Sequence, residues 1–114
     1  MDAAGRHLPD LLAVLERFPE DDGAGVLWSV VHGVESLPGY EPELVRSVQR
    51  GPSLLGVAMV GRLINGGVFE VGGVSLIDLL REVSTSALFT AVRADAADWS
   101  QRHAEEPGTA DGGP

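Results

Sequence analysis

Leu54-Leu55-Gly56-Val57-Ala58-Met59-Val60-Gly61-Arg62-Leu63-Ile64 is the most apolar run of the chain, and its reading decides the fold. As a strand, Leu54 to Val60 would use its β-branched residues. Three features favour a helix instead. The run is long, Pro52-Ser53 ahead of it has the chemistry of a helix initiator, and Arg62 falls at helical spacing from Leu55 and Met59. A helix apolar on nearly every side belongs inside a core, with other helices around it. Arg62 is then costly unless it has a partner, and Glu35 is the candidate, with Asn65 hydrogen-bonding nearby.

Upstream, the elements read as helices separated by proline and glycine. Leu8, Leu11, Leu12, Leu15 and Phe18 recur at steps of three and four, with Pro9 tolerated in the first turn and Pro19 closing the helix. Asp21 or Asp22 is placed to cap a second helix from about Ala24 to Leu37. Its inward stripe is Leu27, Val30, Val31, Val34 and Leu37, and Trp28, His32 and Glu35 share a neighbouring face. Gly33 is read as a point where another helix approaches closely. Pro38-Gly39 turns the chain into a third helix opening at Glu41-Pro42-Glu43, with Leu44, Val45 and Val48 inward and Arg46 and Arg50 near its C-terminal end.

Downstream, Asn65-Gly66-Gly67 supplies positions able to take positive φ at a helix end. Val68 to Val71 is either an extended excursion or an irregular loop, with no hairpin partner apparent. Ser75 with Asp78 three residues later makes a capping signal for a fifth helix carrying Leu76, Leu79, Leu80 and Val83. Ser84-Thr85-Ser86 is read as a break or a cap. A sixth helix runs from about Ser86 to His103 on Leu88, Val92, Ala96 and Trp99, with Asp98 and Arg102 four apart. Residues 104–114 are acidic, rich in Gly and Pro and without periodicity, and are expected to be a disordered tail. The fold expected is all-α: a single domain over residues 1–103, of five to six short helices packed as antiparallel hairpins, either a HEAT-like mini-solenoid or an irregular bundle.

At 114 residues one domain is expected, large enough to fold without a staple. Cysteine is absent and the formal charge is -9. The N-terminus has no basic-then-apolar leader, so a cytoplasmic location is expected. The charge disfavours nucleic acid, and the longest apolar run is too short for a membrane span.

No catalytic constellation is present, and the chain is read as a non-enzyme with no cofactor. The histidines are scattered. His32 and Glu35, at i and i+3, would supply only two ligands to a metal, and no third is visible. Tryptophan and tyrosine are enriched at binding hot spots. Tyr40, Glu41 and Glu43, with Glu20, Asp21 and Asp22, are read as an acidic rim suited to a basic partner.

The run Trp28-Ser29-Val30-Val31-His32-Gly33-Val34-Glu35-Ser36-Leu37-Pro38-Gly39-Tyr40, followed by Leu44, Ser47, Pro52-Ser53, Met59, Arg62 and Asn65, resembles a family of small helical immunity proteins from bacterial polymorphic toxin systems. The resemblance spans about Leu12 to Val83. It implies HEAT-like hairpins and a cytoplasmic protein that binds and neutralises a cognate toxin domain delivered between neighbouring cells. It also implies that Trp28, His32, Glu35, Arg62 and Asn65 are framework; the acidic rim read from the charges is then the candidate toxin-binding surface. The competing readings are a helical adaptor for another cellular protein and a small metal-dependent domain built on His32 and Glu35.

Overall fold

The computed structural model describes residues 8–21 and 27–112. His7, Asp22, Val26 and the start of the second helix near Ala24 lie outside them. Six helices are present among the described residues. They are α1 (Leu8–Arg17), α2 (Leu27–Glu35), α3 (Tyr40–Arg50), α4 (Leu54–Asn65), α5 (Leu76–Ser86) and α6 (Thr90–Gly112). A two-stranded hairpin, β1 (Glu70–Val71) and β2 (Val74–Ser75), stands between α4 and α5.

The central place of α4 follows from its composition. Leu55, Gly56, Val57, Met59, Val60, Gly61, Leu63 and Ile64 are all buried, and its exposed residues are Arg62 and Asn65. Ser53 starts the helix, its hydroxyl accepting from the Gly56 N–H at 2.9 Å and satisfying one donor that helix geometry orphans. At the other end the Val68 N–H reaches the Leu63 carbonyl and the Gly67 N–H that of Ile64, both at 2.9 Å. Gly67 takes φ 94° to make this double closure, a conformation that a Cβ would strain.

Around α4 the helices pair in sequence, α1 with α2, α3 with α4 and α5 with α6, and also across the pairs. Helix α1 lies against α3, and α4 against α6. The radius of gyration is 14.1 Å, close to the roughly 13 Å of a compact domain of this length. A compact helical bundle built of hairpins is the result. One buried cluster joins all six helices, from Leu8 and Leu12 in α1 through Val31, Leu44 and Val60 to Leu80 and Val92.

Several expectations are corrected. Gly72 and Gly73, both at positive φ (56° and 83°), turn β1 back on β2, with Glu70 opposite Ser75 and Val71 opposite Val74. Two successive positive-φ residues give the twist that suits a tight hairpin, and a Gly-Gly pair adopts it without strain. The residues 84–86 do not break α5. Their hydroxyls donate back to carbonyls within the helix, Ser84 to Arg81 at 2.6 Å, Thr85 to Glu82 at 3.1 Å and Ser86 to Glu82 at 2.7 Å. The break comes at Ala87–Phe89, where the Arg93 guanidinium gathers the Ala87 and Leu88 carbonyls at 2.8 and 3.3 Å. Leu88, expected inside, is therefore on the bend and 84% exposed, and Phe18, past the end of α1, is 55% exposed.

A Cβ at Gly33 would meet nothing within 4 Å, so no helix approaches there. The close approach is at Gly61, where a Cβ would overlap the Trp99 ring. Helix α6 continues to Gly112, past His103, so residues 104–112 are helical backbone where a disordered tail was expected.

Candidate functional site

Among the described residues two carboxylate–arginine pairs link different helices, one on the α1–α3 side and one on the α2–α4 side of the bundle. On the first side Glu16 of α1 meets α3. Arg50 donates from Nε to Glu16 Oε1 at 3.0 Å and from Nη2 to Oε2 at 2.6 Å, and the buried Ser47 hydroxyl donates to Oε2 at 2.7 Å. Burial alone would raise the Glu16 pKa. The hydrogen bonds from Arg50 and Ser47, with the Arg50 charge, outweigh it and hold the carboxyl below its ordinary 4.5.

On the second side Arg62 of α4 donates from Nη2 to Glu35 Oε1 of α2 at 3.0 Å. This is the pair the sequence suggested, but it is not interior: the Arg62 side chain is 46% exposed and that of Glu35 17%. The guanidinium lies over the Trp28 ring, 5.6 Å from its centroid, and the His32 ring stands 5.4 Å from that of Trp28. Tyr40 is half-buried beside them. Its phenol is raised above 10.0 by burial first, then by Glu35 and Glu41, so it remains a hydrogen-bond donor at neutral pH. Trp28, His32, Glu35 and Arg62 thus form one connected cluster at the surface. Asn65, named with them, is exposed one helical step beyond Arg62, and no hydrogen bond joins it to the pair.

The five described residues of the acidic rim, Glu20, Asp21, Tyr40, Glu41 and Glu43, fall into two groups. The Leu54 N–H donates to the Pro19 carbonyl at 2.7 Å, which puts Glu20 and Asp21 at the C-terminal end of α3. Tyr40, Glu41 and Glu43 open α3 at its other end, about 15 Å away at the helical rise per residue. Glu43 is engaged by Arg46 at 2.7 Å, and Asp22 is outside the described residues.

Three features escaped the sequence. Glu16 carried no signal beyond its place on α1, because its partners lie 31 and 34 residues away. The seat of Trp99, a residue already read as inward, is the second: the ring sits against Gly61, donates to Asp95 and is covered by Arg102 at 4.8 Å from the ring centroid. Finally, open grooves of about 230 and 150 Å³ flank Gln49, the larger toward α5 and the smaller toward the hairpin. Among the described residues no group of three or more His, Cys, Asp or Glu is placed to hold a metal ion. None of the described helices is long and apolar enough to cross a membrane.

No family model matches the chain, nor does any curated protein or solved structure.

Proposed function

We propose that this chain is a non-catalytic immunity protein that binds and neutralises a cognate bacterial toxin domain with a basic surface. The resemblance of Trp28 to Asn65 suggests the class. The observation that supports a basic partner is the disposition of the arginines. Arg46, Arg50, Arg62, Arg81 and Arg102 are each tied to a carboxylate of the chain, and Arg93 to carbonyls. Among the described residues Arg17 is left without an ion pair, and so are Asp10, Glu20, Glu41, Glu70, Glu82 and Asp95, so the unpaired charge presented to a partner is negative on balance. Such a field raises the association rate with a basic surface and disfavours acidic competitors. Tyr40, half-buried next to Glu41, supplies an aromatic anchor already held by packing, which lowers the entropy lost on binding.

The test is affinity purification of the tagged protein from its host, with bound chains identified by mass spectrometry. Recovery of a secreted multidomain protein through its toxin domain is expected, and co-expression should restore growth to cells making that domain. Recovery of a housekeeping complex, or failure to protect against the toxin encoded beside it, would overturn the reading.

A further inference from the structure

The groove between α3 and α5 holds one of those unpaired carboxylates, Glu82, and its chemistry is specific. Leu79, Glu82, Val83 and Ser86 lie at spacings of three and four on α5 and so form one stripe, which faces Val48, Gln49 and Pro52 at the end of α3. Val48, Pro52, Leu79 and Val83 give apolar walls. Gln49, Glu82 and Ser86 give the oxygens, and the Gln49 and Glu82 side chains make no hydrogen bond or ion pair among the described residues. The Ser86 hydroxyl spends its proton on the Glu82 carbonyl at 2.7 Å and keeps its lone pairs.

The helix ends supply a second, independent bias. α3 finishes at Arg50 and α5 at Ser86, so the groove lies between two C-terminal ends. The end of α5 is already met by Arg93, which donates to the Ala87 and Leu88 carbonyls, so the bias toward a further cation comes from the end of α3, where carbonyls without an intrahelical donor carry a partial negative charge. The arginine at the end of α3 cannot supply it, because Arg50 is turned away to Glu16. The volume, about 230 Å³, is below the roughly 300–1,000 Å³ of pockets that enclose a whole small ligand. It suits one long side chain.

We propose that this groove is a binding site for a single cationic side chain, lysine or arginine, presented by a partner protein, with Glu82 as its counter-ion. The aliphatic stem lies along Val48, Leu79 and Val83, and the charged head meets Glu82, the Gln49 amide oxygen and Ser86, as long basic side chains divide between apolar and polar surroundings. The smaller groove on the other side of Gln49 contains Arg46 and is the wrong sign for the same ligand. The proposal deepens the reading of a basic partner and rests on it, but its test needs no toxin.

The test is an NMR titration of the ¹⁵N-labelled full chain at low salt with Nα-acetyl-arginine amide, Nα-acetyl-lysine amide and the neutral Nα-acetyl-citrulline amide. Saturable shifts confined to the Gln49 side-chain amide and to the backbone of Leu79 to Ser86 are expected for the two cations and not for citrulline, and the tighter of the two identifies the side chain. Glu82→Gln should weaken binding about tenfold, as for the loss of a hydrogen bond to a charged group, while Glu70→Gln on the hairpin should leave it unchanged. The spectra themselves report whether each variant is folded. Shifts scattered over all the carboxylates, equal binding of citrulline, no saturable shift, or indifference to Glu82→Gln would each overturn the proposal. If the amides bind as expected but no basic partner is recovered from the host, the groove stands and the toxin reading falls.

Discussion

The two sides of the bundle are fastened by different chemistry. Between α1 and α3 the link is ionic and bidentate, with Glu16 accepting three hydrogen bonds from Arg50 and the buried Ser47. Along α2, α4 and α6 the links are aromatic: Trp28 carries Arg62 and Glu35, and Trp99 carries Arg102 and Asp98. In both aromatic units an arginine lies over the indole and reaches a carboxylate. A buried hydroxyl on a carboxylate cannot lose its acceptor without cost, whereas a half-exposed arginine returns to water. The first side should therefore depend on its carboxylate, and the second on the fit of its rings rather than on its charges.

Gly61→Ala is the severest test of that contrast. The added methyl overlaps the Trp99 ring, which must leave its seat on α4, and overpacking of this kind costs about 3 kcal/mol, only partly offset by the roughly 1 kcal/mol that alanine gains in a helix. Urea denaturation should register the loss, and an unchanged midpoint would mean that Trp99 does not pack there.

Glu16→Ala comes next, at about 1.5 kcal/mol, because it leaves the Ser47 hydroxyl buried without its acceptor. Its pH dependence has a definite sign. The folded pKa lies below 4.5, so the stabilisation is fully present above that value and is lost as pH falls through the folded pKa. Glu16→Gln should therefore flatten the decline in stability on the acid side. An acid-side slope identical to wild type would remove Glu16 from the account.

Arg62→Leu should cost about 1 kcal/mol or less, since a half-exposed ion pair and a surface cation–π contact are each worth about that much at most. The 3–5 kcal/mol typical of breaking an interior pair would be seen only if the Arg62 side chain were enclosed. A loss larger than that of Glu16→Ala would reverse the ranking of the two sides.

Asp95→Asn is the smallest effect. Burial, then the neighbouring Asp98, raises the Asp95 pKa against the lowering by the Trp99 indole and Arg102. A carboxyl raised on folding loses stability as pH rises through its folded pKa, so the amide should be slightly more stable at pH 7, by about 0.5 kcal/mol or less, and equal to wild type in acid. Lower stability at pH 7 would show that the hydrogen bond to Trp99 outweighs the charge.

The Glu35–Arg62 pair was legible in the sequence because both residues fall on identifiable helix faces and an isolated arginine in an apolar helix demands a partner. Its exposure was not, since that depends on which arc of α4 the other helices leave open. Glu16–Arg50 was invisible for a related reason: each residue alone reads as an ordinary surface charge at the end of a helix. The hairpin carried a signal in Gly72-Gly73 that went unused, because strands of two residues leave no alternation to detect. The described members of the acidic rim show the opposite case. Its members are close in composition and sequence, but the roughly parallel run of α1 and α3 sends Glu20 and Tyr40 to opposite ends.

Local chemistry, then, accounts for the elements and the core. Apolar spacing, Ser53 and Ser75 as caps and glycines at positive φ act over a few residues, and they make α4 central before any neighbour is known. The surfaces were decided only when the helices packed. The groove at Glu82, the Trp99 seat on Gly61 and the Glu16 strut are each made by residues from different helices, and their free energies exist only once those helices are side by side.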